Sequence, residues 1–139
     1  MTSWQAWALA SAGCAALTAI WAKVGVADVN SNLATLIRTA VILPMAALVV
    51  TLGGQWRPLD TLTKRSVVFL VLSGLGTGAS WLCYYRALQM GPVTRVAPFE
   101  KISVALAMVL GVAFLGEPLT WKVAAGTALI VSGALLLAW

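Results

Sequence analysis

Four charged side chains lie inside stretches of sequence that are otherwise apolar, namely Arg38, Arg86, Glu100 and Lys101. A charge within a hydrocarbon layer is costly and usually faces a cavity or a charged partner, so each is a candidate for binding a polar solute. Two interpretations remain open. Glu100 pairs with Arg38 or Arg86 and ties helices together, or the four residues line a cavity whose excess positive charge suits an anionic or zwitterionic ligand, with Glu100 able to carry a proton.

Three aromatic residues, Trp81, Tyr84 and Tyr85, share one face at helical spacing. They either pack against helices and lipid or line a cavity for an aromatic substrate. The chain has no His, four acidic residues and two Cys, too few ligands for an ordinary metal site. We therefore expect no metal and no cofactor. The polar residues near Glu100 are also too sparse for acid–base or nucleophilic catalysis, so we expect no enzyme.

The amino-acid composition indicates the environment of these residues. Of 139 residues, 61% are hydrophobic and 9% are charged, and the mean hydropathy is +0.95. This departure from ordinary globular composition excludes a small soluble domain and predicts an integral membrane protein in a lipid bilayer. The nine basic residues are scattered between apolar segments, which argues against a nucleic-acid surface and is typical of residues flanking membrane spans.

Five segments are long and apolar enough to cross a bilayer, which needs about 20 residues per helix. Their predicted ranges are residues 4–22, 33–52, 66–88, 96–115 and 121–139. Because backbone groups in lipid must be satisfied within the segment, we expect one all-α domain over residues 1–139, a bundle of five transmembrane helices. Pro98 should open the fourth span, and Glu117 with Pro118 should begin the fifth. Arg38, Arg86 and the Glu100–Lys101 pair would then lie in one layer near one membrane face.

Small residues mark candidate helix contacts, because helices in lipid associate by close packing. Gly74 and Gly78 form a GxxxG pattern in the third span, and Gly126 and Gly133 are one heptad apart in the fifth. These glycines pack helices within one subunit, or the fifth span supplies a contact between subunits.

The basic residues give almost no preference for one orientation. With the N-terminus inside, four lie at cytoplasmic ends and five at outer ends once Arg38, Arg86 and Lys101 are included. Cytoplasmic loops normally carry an excess of Lys and Arg. The count leaves open a fixed orientation with the N-terminus inside and insertion in both orientations.

Several segments in order resemble the EamA-like family of the drug/metabolite transporter superfamily. They are residues 33–39 (LATLIRT), 73–88 (SGLGTGASWLCYYRAL), 92–101 (PVTRVAPFEK) and 114–120 (FLGEPLT). The resemblance covers essentially the whole chain. It implies a multi-pass secondary transporter of small metabolites in the bacterial cytoplasmic membrane, with a small-molecule substrate passing by alternating access.

The resemblance also implies a partner. Larger relatives carry two five-helix units in one chain, inverted relative to each other, with the substrate site between them. The present chain has one unit, so we expect an antiparallel homodimer or a related five-helix partner. The small multidrug resistance branch is disfavoured, because its first span carries an acid where Cys14 stands here. The alternative is a non-transporting, partner-dependent subunit, including a flippase subunit for lipid-linked head groups.

Overall fold

The structure, a computed structural model, describes residues 3–58 and 61–138, so the predicted end of the fifth span at Trp139 lies outside the described residues. The described residues form helices and connecting turns without a strand. The helices are α1 (Ser3–Gly25), α2 (Ser31–Leu52), α3 (Lys64–Met90), α4 (Val93–Glu100), α5 (Ile102–Leu115) and α6 (Trp121–Ala138).

Long apolar helices confirm the predicted membrane class. Four stretches are long and apolar enough to cross a bilayer, Trp4–Gly25, Ser31–Leu52, Lys64–Met90 and Val93–Leu115. The apolar part of α6, Trp121–Leu137, is shorter, near the lower limit of about 17 residues for a spanning helix. Hydroxyl groups within the helices donate to the carbonyl one turn earlier, as Thr77 does to Ser73 at 2.9 Å. The protein is therefore an all-helical membrane protein.

The fourth predicted span starts earlier than expected and contains an interruption. α4 begins at Val93 rather than at residue 96, and Pro98 lies inside it instead of opening the span. The N–H of Lys101 donates to the Pro98 carbonyl at 2.9 Å, and the N–H of Val104 donates to the Lys101 carbonyl at 3.0 Å. Each bond joins residues three apart, as in a 3₁₀ turn. Glu100 and Lys101 therefore lie where two helices meet, and proline, which removes a helical N–H, lies within one turn of that junction.

α5 ends in a turn that requires glycine. Gly116 has a φ of 68°, in the left-handed region that side-chain-bearing residues rarely adopt. The N–H of Gly116 donates to the Gly111 carbonyl, and the N–H of Glu117 donates to the same oxygen at 3.3 Å. Both N–H groups therefore bond to one carbonyl in the last turn and a half of α5, which ends the helix at this turn.

α6 begins at Trp121, the first residue of the predicted fifth span. Glu117 and Pro118, which were expected to open this helix, belong instead to the connection before it. Thr120 is the N-cap, because its hydroxyl oxygen accepts from the N–H of Val123 at 3.3 Å. This is the ordinary capping geometry for threonine, and it outweighs the proline signal at 118.

The chain divides into two compact units. The central unit comprises residues 24–89 and contains α2 and most of α3. The terminal unit comprises residues 1–23 and 90–139, and within its described part α6 packs against both α4 and α5. In the terminal unit the Lys23 ammonium group also donates to the Gly91 carbonyl at 2.8 Å, which fixes the end of α1 to the turn before α4. The predicted single domain stays a prediction.

Candidate functional site

The central unit brings an arginine onto an aromatic ring. Arg38 lies two turns into α2, and its guanidinium carbon lies 3.0 Å from the centroid of the Trp81 ring in α3. The same carbon lies 6.0 Å from the Tyr85 ring. A guanidinium stacked on an aromatic face keeps its N–H groups at its edge, where they can meet a carboxylate or phosphate in a bidentate manner. The predicted intramembrane charge and the predicted aromatic face therefore lie together, in a cluster of Arg38, Trp81 and Tyr85.

The aromatic rings hold one another in place. Trp81 makes edge-to-face contacts with Tyr84, at 5.5 Å between ring centroids, and with Tyr85, at 5.6 Å. Tyr84 and Tyr85 are buried, whereas Trp81 and Arg38 are half-buried. Edge-to-face pairs contribute about 0.5–1.5 kcal/mol beyond the area they bury. The cluster is therefore an ordered ring assembly with one partly accessible side, where the guanidinium lies.

Sequence reasoning missed two polar residues on α2. Ser31 and Thr35 are buried, and the Thr35 hydroxyl donates to the Ser31 carbonyl at 2.9 Å. With Arg38 they occupy positions i, i+4 and i+7, which share one face of a helix. That spacing was visible in the sequence and could have revealed the polar face before the structure did.

The end of α3 is fixed by a glutamine that the sequence did not single out. The Gln89 amide nitrogen donates to the carbonyls of Val26 and Val29, at 3.2 and 2.6 Å. Arg86, a predicted site residue, is exposed and donates to the Gln89 side-chain oxygen at 3.4 Å. These hydrogen bonds link the end of α3 to the segment that precedes α2 within the central unit.

Glu100 and Lys101 lie in the terminal unit. Their charged groups are 3.9 Å apart, with side chains 40% and 55% exposed. Exposed neighbours at this distance interact weakly. The pairing of Glu100 with Arg38 or Arg86, and the single charged layer, both stay predictions.

The glycines predicted to pack helices have open space beside them in the described part of the chain. A Cβ atom added at Gly74, Gly78, Gly126 or Gly133 would meet no heavy atom within 4 Å outside its own helix backbone. A groove of about 690 Å³ also runs between α5 and α6, lined by small and apolar side chains such as Ala105, Ala128 and Val131. These faces are available to another helix or to lipid.

The contact with Trp81 stabilises Arg38 within its apolar helix. A desolvated cation–π contact contributes about 2 kcal/mol, which offsets part of the cost of placing an arginine in a membrane helix. No group of three or more His, Cys, Asp or Glu residues capable of holding a metal occurs among the described residues.

Comparisons with known proteins identify the family of the chain. The family model for the EamA-like transporter family matches residues 2–139. A relative from Sinorhizobium sp, named "Uncharacterized transporter in cobO 3'region", is 55% identical over 136 residues, which cover 98% of this chain and 96% of the relative. No solved structure matches the chain with significance. The family and the relative's name indicate transport across a membrane, not catalysis. The chain belongs to the EamA-like transporter family.

Proposed function

We propose that this protein is a secondary transporter of small organic anions or zwitterions that works by alternating access as an antiparallel homodimer. Its location would be the bacterial cytoplasmic membrane. The observation that carries the proposal is Arg38, a permanently charged residue in a spanning helix, stacked 3.0 Å from the Trp81 ring centroid. The substrate's carboxylate or phosphate would bind the guanidinium edge, and its apolar part would lie against the tyrosine-bearing side of α3.

Charge supports an anionic or zwitterionic substrate. Arginine remains protonated in proteins, so the cation on α2 is fixed whatever the pH. Glu100 lies at the α4–α5 junction, where its carboxylate is 40% exposed. Acidic residues within membrane spans often belong to proton pathways, so Glu100 is the candidate for coupling transport to a proton gradient.

Helix number and open faces support a pair of copies. Five spans form half of an inverted-repeat transporter, in which the substrate site lies between two halves of opposite orientation. The Sinorhizobium relative, named as a transporter, is matched over 96% of its length, so it has a similar size. In the terminal unit, Gly126 and Gly133 of α6 have open space for a Cβ atom, which allows close approach of a second α6. The nearly balanced basic residues agree with insertion in both orientations.

Transport by purified protein in liposomes tests the proposal. A panel of radiolabelled carboxylates and amino acids identifies a transported compound by counterflow, and each variant is then compared at equal reconstitution. Arg38→Gln should reduce the rate at least thirtyfold, because a neutral amide cannot replace a bidentate charged contact. Arg38→Lys keeps the charge but not the planar fork, so an intermediate rate is expected.

Arg65→Gln is the matched control, because it removes one charge at the start of α3 from a residue near a single ring, 5.8 Å from Phe69. It should leave the rate within twofold of wild type. Glu100→Gln should abolish the response to an imposed proton gradient. Undiminished flux in Arg38→Gln/Glu100→Gln would reject the site assignment, and no flux of any compound by correctly inserted dimer would favour a non-transporting subunit.

A further inference from the structure

The aromatic cluster of α3 has the composition of a site for organic cations, yet a cation from the same chain already occupies it. Trp81 offers the ring face that binds cations best, and the Arg38 guanidinium lies over that face at 3.0 Å. We propose that Arg38 is a specificity-determining residue that blocks an aromatic cation site and so excludes lipophilic cations. This role rests on the proposed function, since it concerns which compounds the same site excludes.

The rings would keep their arrangement without the arginine. Trp81 contacts Tyr84 and Tyr85 edge-to-face, all three belong to α3, and both tyrosines are buried. None of these contacts passes through Arg38. A neutral side chain at position 38 holds the Trp81 face less strongly than the guanidinium does. A free cation can then reach that face, with Tyr85 beside it, and aromatic surfaces of this kind recognise quaternary ammonium groups.

An intramolecular cation is a strong competitor. Because α2 holds Arg38 beside the ring, its effective concentration is in the millimolar range or above, as for ligands joined by short linkers. A free cation must displace it and must also approach a fixed like charge, which raises the free energy of binding. Removing the guanidinium removes both effects. We expect the affinity for a lipophilic cation to increase at least tenfold.

Binding of radiolabelled tetraphenylphosphonium to purified full-length protein in detergent tests this, by equilibrium dialysis against protein-free micelles. The variant is Arg38→Met, which keeps the length of the side chain without its charge. Arg65→Met is the matched control, because it removes the same charge from a residue 5.8 Å from the single ring of Phe69. Arg38→Met should bind at least tenfold more tightly than wild type, and Arg65→Met should bind as wild type does.

The double variant Arg38→Met/Trp81→Leu shows whether the gain comes from the ring. It should lose the gained affinity. Equal affinity of Arg38→Met and Arg65→Met, or full retention of the gain in the double variant, would overturn the inference. If Arg38→Met does not fold, NMR of the wild-type protein decides: the guanidinium protons of Arg38 should show an upfield ring-current shift that tetraphenylphosphonium leaves unchanged and Trp81→Leu abolishes. An unshifted resonance would overturn the inference.

This readout is independent of transport. If Arg38→Met gains no cation binding while Arg38→Gln loses anion flux, the blocking role is rejected and the proposed function stands. If cation binding appears but flux does not depend on Arg38, the blocking role stands and the assignment of Arg38 to the anion site in the proposed function is rejected.

Discussion

Gln89 allows a quantitative test of how the central unit is held together. Its amide nitrogen donates both hydrogens, to the carbonyls of Val26 at 3.2 Å and Val29 at 2.6 Å, while its oxygen accepts from Arg86 at 3.4 Å. Only one orientation of the amide satisfies all three partners. Gln89→Glu keeps the shape and the acceptor facing Arg86, but it replaces the donor with an oxygen that faces two carbonyl oxygens.

The expected loss follows from these contacts. Each hydrogen bond contributes about 1 kcal/mol net, so losing two costs about 2 kcal/mol. Repulsion between the carboxylate and the carbonyls adds to this, whereas the better charge pairing with exposed Arg86 returns at most about 0.5 kcal/mol. We expect Gln89→Glu to lower the free energy of unfolding by about 2–3 kcal/mol. Gln89→Met, which has neither donor nor charge, should cost about 2 kcal/mol.

The assay is unfolding in mixed micelles by increasing SDS, followed by circular dichroism. Gln55→Glu is the matched control, because Gln55 is exposed in the connection after α2, and it should change the free energy of unfolding by less than about 0.5 kcal/mol. Acidification gives a further check: a protonated carboxyl regains one donor, so the deficit of Gln89→Glu should shrink as the pH is lowered towards about 4 and should change no further below it. A Gln89→Glu protein as stable as the Gln55→Glu protein would refute the reasoning.

Two further variants test the connection between α5 and α6 by the same unfolding assay. Thr120→Ala removes the cap on the Val123 N–H and should cost about 1 kcal/mol, with Thr120→Ser as the control that retains it; equal losses in both would contradict the capping role. Gly116→Ala places a side chain at a φ of 68° and should cost about 1–2 kcal/mol, whereas Gly13→Ala, in open space within α1, should be neutral or stabilising.

The sequence predicted the spanning helices well because the hydropathy of a span sums over about 20 residues. It predicted their ends less well, since an end depends on a few hydrogen bonds. The start of α6 at Trp121 was predicted correctly, but Glu117 and Pro118, which were expected to open that helix, precede the Thr120 cap. At Lys101, two bonds between residues three apart interrupt a segment of uniform apolarity, and hydropathy carries no information about such a change.

The site residues could be identified by type and only partly by arrangement. Arg38 was evident as a charge in an apolar helix, and the spacing of Trp81, Tyr84 and Tyr85 was evident on α3. Their contact was not predictable, because it depends on how α2 and α3 are rotated about their axes. Helices that are apolar on all sides give no sequence signal for that rotation in lipid. Gln89 was missed because a single amide near a helix end is common, and its importance comes only from the two carbonyls that converge on it.

The proposed function depends on assembly, because we propose that one set of five spans works with a second set of opposite orientation. The most direct measurement is the orientation of the C-terminus in cells, using two fusions, one to a reporter active only in the cytoplasm and one to a reporter active only outside it. Because the basic residues are nearly balanced between the two faces, we expect both reporters to be active at comparable levels. Activity of the outside reporter alone would show a fixed orientation and contradict the antiparallel homodimer.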